Sequence, residues 1–270
     1  SSDLYEFIKK CDATYKCGVM FENWTPDPYM HSVQVPFSKK YGQYPHVYGR
    51  QIAKGLPSWE LSSKLFWENR VDAWFLNKPN ETPVNQFHFN TFKLNKFLHD
   101  ICKERSINFI NTTIKDVKFK SNGDVESLIA EDDTNYDADL FVDSSGMKRV
   151  IASKMGVKWV SYKKYLPMNH ALAFPTDDIS DLKPYTLSRA LSSGWNWRIS
   201  TQGRYGNGYV FCDEFIDSTK AHDEIQSVYS EKVNVAKDIK FEAGCIDKSW
   251  INNCVAIGLS SSFVEPLEAS

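Results

Sequence analysis

The sequence predicts an α/β protein with a second β-sheet layer in its later half, and three observations carry that reading. Leu94, Phe97, Leu98, Ile101 and Cys102 form an apolar stripe at helical spacing. Alternating runs on either side of Asn122-Gly123 mark a β-hairpin. The run 139–143 passes through Ser144-Ser145-Gly146 into another helical stretch, giving the order strand, turn, helix.

Taken in order, Asp3 and Glu6 have the form of a capping box, and Leu4, Phe7, Ile8 and Cys11 give the first helix its apolar face. A strand is expected over 15–21. Alternation puts Lys16 on the opposite face from Tyr15 and Cys17. Two readings of that lysine stand: an edge-strand residue facing water, or a desolvated amine acting as acid or nucleophile. Residues 25–60, with Pro26, Pro28, Pro36, Pro45 and Pro57, show no steady period and read as a long excursion over a surface or pocket. Asn90 or Thr91 then caps the helix of the apolar stripe, and His88 just before it reads as a packed histidine.

Strands are expected at 107–110, 114–120 and 125–130, with the turn at 121–124. The run 139–143 reads as a buried strand feeding a helix over 149–155, and such a small-residue turn can hold a phosphate or a flavin edge. Beyond 157, runs near 171–174, 195–200, 208–212 and 241–245 form the second sheet layer. A helix over 218–232 carries Ala221, Ile225 and Val228 on one face. Gly203, Gly206 and Gly208 read as a turn, because a strand follows them and no helix does.

With 32 basic and 34 acidic residues in 270, the formal charge of −2 argues against nucleic acid or an anionic membrane surface as partner. The first residues lack the basic and apolar regions of a signal peptide, and no run approaches the length of a membrane span. Cysteines at 11, 17, 102, 212, 245 and 254 show neither zinc spacing nor a disulfide framework. A cytoplasmic protein without a metal is the expectation. Aromatic residues make up 14% of the chain, which suits a flat-walled pocket and equally an ordinary core.

Two stretches carry the chemistry. Gly194-Trp195-Asn196-Trp197-Arg198-Ile199 puts two indoles on one side of an extended segment. Phe263-Val264-Glu265-Pro266-Leu267-Glu268-Ala269-Ser270 places two carboxylates in an apolar setting, where general acid or base work is possible.

Both stretches resemble the flavin-dependent tryptophan halogenase family. The first is similar to its GWxWxIP signature, and the second, with 253–259, to its C-terminal FAD-side segment. Asn207-Gly208-Tyr209-Val210-Phe211, Phe141-Val142-Asp143-Ser144-Ser145-Gly146-Met147, and Tyr15-Lys16 with Phe21-Glu22-Asn23-Trp24 extend the resemblance over nearly the whole chain. Departures are Ser200 where the signature has proline, Ala269 where serine is usual, and Val35 where tryptophan-specific members have histidine.

The resemblance implies an FAD-dependent monooxygenase-like fold, a Rossmann-type FAD domain with a second β-sheet substrate layer. It also implies one partial halogenase domain over 1–270, without the N-terminal GxGxxG unit and the C-terminal helical region. It implies FAD as FADH2, oxygen and halide (chloride, bromide or iodide), forming hypohalous acid, with a separate NADH-dependent flavin reductase as partner. Lys16 matches the lysine that guides the halogenating species to a small aromatic substrate, an indole resembling tryptophan or a phenol. Glu268 matches the glutamate that orients this species and takes the ring proton. Trp195 and Trp197 match a wall between flavin and substrate, Phe37 an aromatic that stacks on the substrate, and Val35 a position on the substrate wall. Leu259, with Gly258, matches the segment along FAD, and the backbone N–H of Ser270 a halide donor. The rival expectations are a hydroxylating flavoprotein of the same fold and a catalytically inactive fragment.

Overall fold

The structure, a computed structural model, describes residues 4–32, 86–177 and 182–264. In chain order these form helix α1 (Leu4–Lys10) and strands β1 (Thr14–Tyr15), β2 (Gly18–Glu22), β3 (Tyr29–Ser32) and β4 (Phe87–His88), then helix α2 (Thr91–Glu104). Strands β5 (Ile114–Phe119), β6 (Val125–Ala130), β7 (Asn135–Asp137), β8 (Phe141–Asp143) and β9 (Trp159–Ser161) follow. Next come β10 (His170–Thr176), β11 (Thr186–Leu191), β12 (Gly194–Thr201), β13 (Arg204–Phe211), helix α3 (Ser218–Val228) and β14 (Lys237–Lys240). The last strands are β15 (Gly244–Ile246), β16 (Trp250–Ile251), β17 (Cys254–Ala256) and β18 (Ser262–Phe263).

The described residues fall into two compact units. One is drawn from residues up to Arg105 and from His170–Ile239, the other from Ser106–Asn169 and from Lys240 onward.

The first unit is built on a seven-stranded sheet in the order β14-β10-β13-β12-β11-β2-β3. The pairs β10–β13, β13–β12, β12–β11 and β2–β3 are antiparallel, whereas β2 and β11 run parallel. At that parallel seam Glu22 lies beside Arg189 and accepts from its Nε and Nη2 at 3.1 and 2.9 Å. One face of the sheet is closed by α3, whose Ala221 and Ile225 pack on Leu172, Phe174, Tyr209, Phe211 and Val233. Helices α1 and α2 meet through Phe7, which contacts the rings of Phe87, Phe89 and Phe97. The Asn90 side chain caps α2, accepting from the N–H groups of Phe92 and Lys93, as the sequence predicts.

The second unit holds three three-stranded sheets, β5-β6-β7, β16-β17-β8 and β18-β15-β9. Val117, Val125, Phe141, Ile151 and Cys254 form its main core. The carboxamide of Asn253 holds both backbone groups of Val125, accepting from its N–H at 2.8 Å and donating to its carbonyl at 2.9 Å.

Several expectations are corrected. The strand expected over 15–21 is broken at Lys16-Cys17: β1 pairs with β4 and β2 with β3 and β11, and a change of partner leaves no trace in side-chain alternation. Residues 25–60 were expected to lack a period, yet β3 forms there by folding back on β2; most of the stretch lies outside the described residues. Residues 107–110 form no strand and expose Ile107, Phe109 and Ile110, since an apolar run alone does not supply the backbone pairing that a strand needs. The strand ending at Asp143 is only half buried, with Val142 exposed. Residues 149–155 make no α-helix. Arg149 adopts the left-handed conformation (φ 49°) and separates two 3-10 turns, Gly146–Lys148 and Ala152–Met155. Of the three glycines read as a turn, only Gly203 makes the β12–β13 hairpin, while Gly206 and Gly208 lie inside β13.

Candidate functional site

In the first unit, Lys16 sits where the chain leaves one sheet for the next. Its N–H donates to the Gln86 carbonyl at 3.0 Å, and the N–H of Cys17 to the Pro184 carbonyl at 2.7 Å. Only 8% of Lys16 is exposed. Burial lowers its ammonium pKa from the ordinary value, because the charged form loses its water. Of the two sequence readings, the edge lysine facing water is thus excluded. The Cys17 thiol beside it is pushed up to about 12 by burial and stays protonated.

His88, which the sequence reads as a packed histidine, lies across from Thr14, on the face that strand alternation gives to Lys16 as well. Its Nδ1 lies 3.4 Å from Thr14 Oγ1 and 3.3 Å from Ser200 Oγ, and its Nε2 lies 2.9 Å from Thr186 Oγ1. Burial first, and then the charge of Lys16, hold its pKa down to about 3 against the pull of a hydrogen bond to the Ser200 backbone. Ser200 lies in this cluster as a working hydroxyl, a role the proline of the resembled signature could not fill.

On the same strand, Trp195 and Trp197 leave β12 on the face opposite to Ser200, by the alternation of strand side chains. Their rings touch at 6.1 Å between centroids with a 58° tilt. Trp195 is buried opposite Val210. Trp197 lies opposite Ser188 and Gly208, and its ring fills the space that a side chain on Gly208 would take. The Ser188 hydroxyl on this face is buried with no hydrogen-bond partner among the described residues, while its carbonyl accepts from the Trp24 indole at 3.1 Å. Behind the wall, Asn196 donates to the Gly208 carbonyl and accepts from Tyr229, and Arg198 stacks on Tyr205 at 3.8 Å.

In the second unit, the buried Asp143 carboxylate at the end of β8 gathers five donors. They are the Ser145 N–H and hydroxyl, the Ile151 and Ala152 N–H groups, and the Ser260 hydroxyl. Burial alone would raise its pKa, but these hydrogen bonds outweigh it and hold the group below the usual carboxylate range. These N–H groups are therefore committed, and the small-residue turn has not left them for a phosphate. Ser260 also ties the 3-10 turn Gly258–Ser260 to the Gly146 carbonyl. Gly258 takes φ 58° with no atom of the described residues within 4 Å of where a Cβ would stand, and Ile257 and Leu259 on either side are 47% and 44% exposed. That open apolar edge suits a flat ring laid along it.

The structure thus brings the two indoles together and gathers Lys16 with His88 and, through His88, Ser200. Val35, Phe37, Glu268 and Ser270 lie outside the described residues. Among the described residues no cluster of metal-ligating side chains occurs, and no helix is long and apolar enough to cross a membrane. His88 is packed as the sequence predicts, but its partners, the seat that Gly208 makes for Trp197 and the place of Ser188 went unrecognised in the sequence, since each depends on a residue distant in the chain.

The tryptophan halogenase family profile matches residues 3–270. The chain is 30% identical to the tryptophan 6-halogenase SttH of Streptomyces toxytricini over 98% of its own length and 57% of that protein's. In structure it is similar to Xcc4156, a flavin-dependent halogenase from Xanthomonas campestris, with TM-score 0.88 and 26% identity over 99% of this chain and 55% of that one. It is also similar to BrvH, a flavin-dependent halogenase from Brevundimonas sp. BAL3, with TM-score 0.84 and 26% identity over 98% and 57% of the two chains. The chain therefore spans a little over half the length of the relatives it matches. A match that runs through both units, over the broken strand at Lys16 and the paired indoles alike, places this chain in the tryptophan halogenase family.

Proposed function

We propose that the protein to which this chain belongs halogenates a small aromatic compound, an indole or a phenol, with Lys16 presenting the halogen. The observation that carries this reading is a lysine ammonium buried beside an uncharged histidine, in a family whose named members include tryptophan halogenases. Reduced FAD, with oxygen and halide, supplies hypohalous acid when bound. Leu259 and Gly258 would hold the ring of that cofactor along their open edge.

The protein's own residues then direct the acid. A buried ammonium donates a hydrogen bond to the hypohalous oxygen and makes the halogen more electrophilic, an effect that low dielectric strengthens. As the ring carbon–halogen bond forms, the oxygen–halogen bond breaks and leaves hydroxide, which takes the proton of the Lys16 ammonium and becomes water. The displaced ring proton passes to the Glu268 carboxylate. Trp195 and Trp197 wall the substrate from the cofactor, Phe37 stacks on it, and the Ser270 N–H binds halide. Val35 leaves the substrate wall without a polar group, which favours an indole or phenol other than free tryptophan. A separate NADH-dependent flavin reductase supplies FADH2.

The test uses the full-length protein with reduced FAD, oxygen, a flavin reductase and each halide, and assays a panel of indoles and phenols by mass beside Lys16→Ala. Halogenated product that disappears in the variant supports the reading. Hydroxylated product, or halogenation undiminished in Lys16→Ala, overturns it.

A further inference from the structure

We propose that His88 is a positioning residue for Lys16, held as the neutral Nδ1–H tautomer by Thr14, Ser200 and Thr186 so that the buried ammonium faces an uncharged dipole of fixed orientation. The inference rests on the reading of Lys16 as the halogen-presenting group.

The tautomer follows from counting protons. Thr14 Oγ1 donates its one proton to the Ser200 carbonyl at 2.7 Å, and Ser200 Oγ donates its one proton to the Lys183 carbonyl at 2.5 Å. Toward His88 Nδ1 both hydroxyls are therefore left only as acceptors, and Nδ1 must carry the hydrogen. Nε2 is then the acceptor, and the Thr186 hydroxyl donates to it. Strands β1, β11 and β12 each contribute one hydroxyl, so the ring is fixed from three sides.

A neutral ring matters because of what lies next to it. Among the described residues, the charged group that acts on His88 is Lys16; the hydroxyls do not titrate, and the Cys17 thiol stays protonated. An imidazolium here would add a second buried cation on the face that Lys16 shares and favour loss of the Lys16 proton, removing the donor that the chemistry needs. Ser200 gains a purpose as well, because it supplies one of the two acceptors that fix the tautomer.

The experiment is nuclear magnetic resonance on the full-length protein carrying ring-15N histidine and ε-13C lysine, with signals assigned by loss in His88→Asn and Lys16→Met. Wild-type protein is expected to show His88 as the Nδ1–H tautomer with no titration between about pH 5 and 8, where an ordinary histidine titrates. An Nε2–H tautomer, or a titration in that window, overturns the proposal without any variant. The Lys16 signal reads the coupling. His88→Asn, which keeps an N–H donor near the Nδ1 position, should leave its inflection in place, whereas His88→Leu should lower it by about one unit, a tenfold loss of protonated amine. A folded His88→Leu protein with an unshifted Lys16 inflection shows a packing residue only. Neither signal depends on halogenation, so a failure of the halogenase reading would appear in the mass assay and not here.

Discussion

The indole of Trp197 lies over the bare Cα of Gly208, its partner across β12 and β13. A Cβ on Gly208 would stand 2.0 Å from Cη2 and 2.1 Å from Cζ2 of that ring. Gly208→Ala must push the indole off its seat, and overpacking of this kind costs about 1–3 kcal/mol. Gly206, two residues earlier on the same strand, has no atom of the described residues within 4 Å of its Cβ position. Gly206→Ala is expected to be neutral or slightly stabilising. Urea midpoints that fall together for both variants would refute the packing argument.

Asp143→Asn keeps the shape of the side chain but removes the charge that five donors share. Loss of charge-assisted hydrogen bonds in a buried place predicts a cost on the order of 3 kcal/mol. Because the folded pKa lies below the ordinary 3.8, this stabilisation is complete above about that pH and is lost as pH falls through the lower, folded value. Acid unfolding followed by circular dichroism should begin at higher pH in the variant.

His88 acts in a different window. Its folded pKa of about 3 lies under the ordinary 6.5, so between them the unfolded chain binds a proton that the folded chain refuses. Stability is complete above about pH 6.5 and declines toward pH 3, by up to about 1.4 kcal/mol per pH unit. His88→Asn should flatten that slope in urea titrations run at successive pH values. An unchanged slope would mean that another group titrates there.

Lys16→Met should separate stability from activity. Methionine fills much the same volume without the ammonium, so the variant is expected to stay folded by thermal melting while product formation is lost. Ser188→Ala offers a comparison without such a loss of charge. Removing its hydroxyl, which has no partner among the described residues, should stabilise the protein by a few tenths to about 1 kcal/mol by thermal melting.

The sequence revealed local features well and contact partners poorly. Asn90 as a cap, the Asn122-Gly123 hairpin and the Ala221-Ile225 face of α3 all depend on neighbours within one turn or one hairpin, and each is found as expected. Lys16 and the paired indoles were visible through family resemblance. What was missed depends on distant pairing. His88 lies 74 residues from Thr14 and 112 from Ser200, and no period links them. Arg149 resisted the helix expected of it because left-handed backbone in a non-glycine residue follows from the Asp143 hydrogen bonds around it and from its stack on Trp159.

The parallel seam between β2 and β11 sets a timetable for synthesis. Glu22 waits 167 residues for Arg189, which at about 5–20 residues per second is roughly 8–30 s on the ribosome. Throughout that interval β2 has β3 on one edge and nothing of β11 on the other, with Val19, Met20 and Phe21 not yet enclosed by the finished sheet. A nascent chain stalled before Thr186 thus displays an apolar strand with an open edge, the kind of segment that holdase chaperones bind.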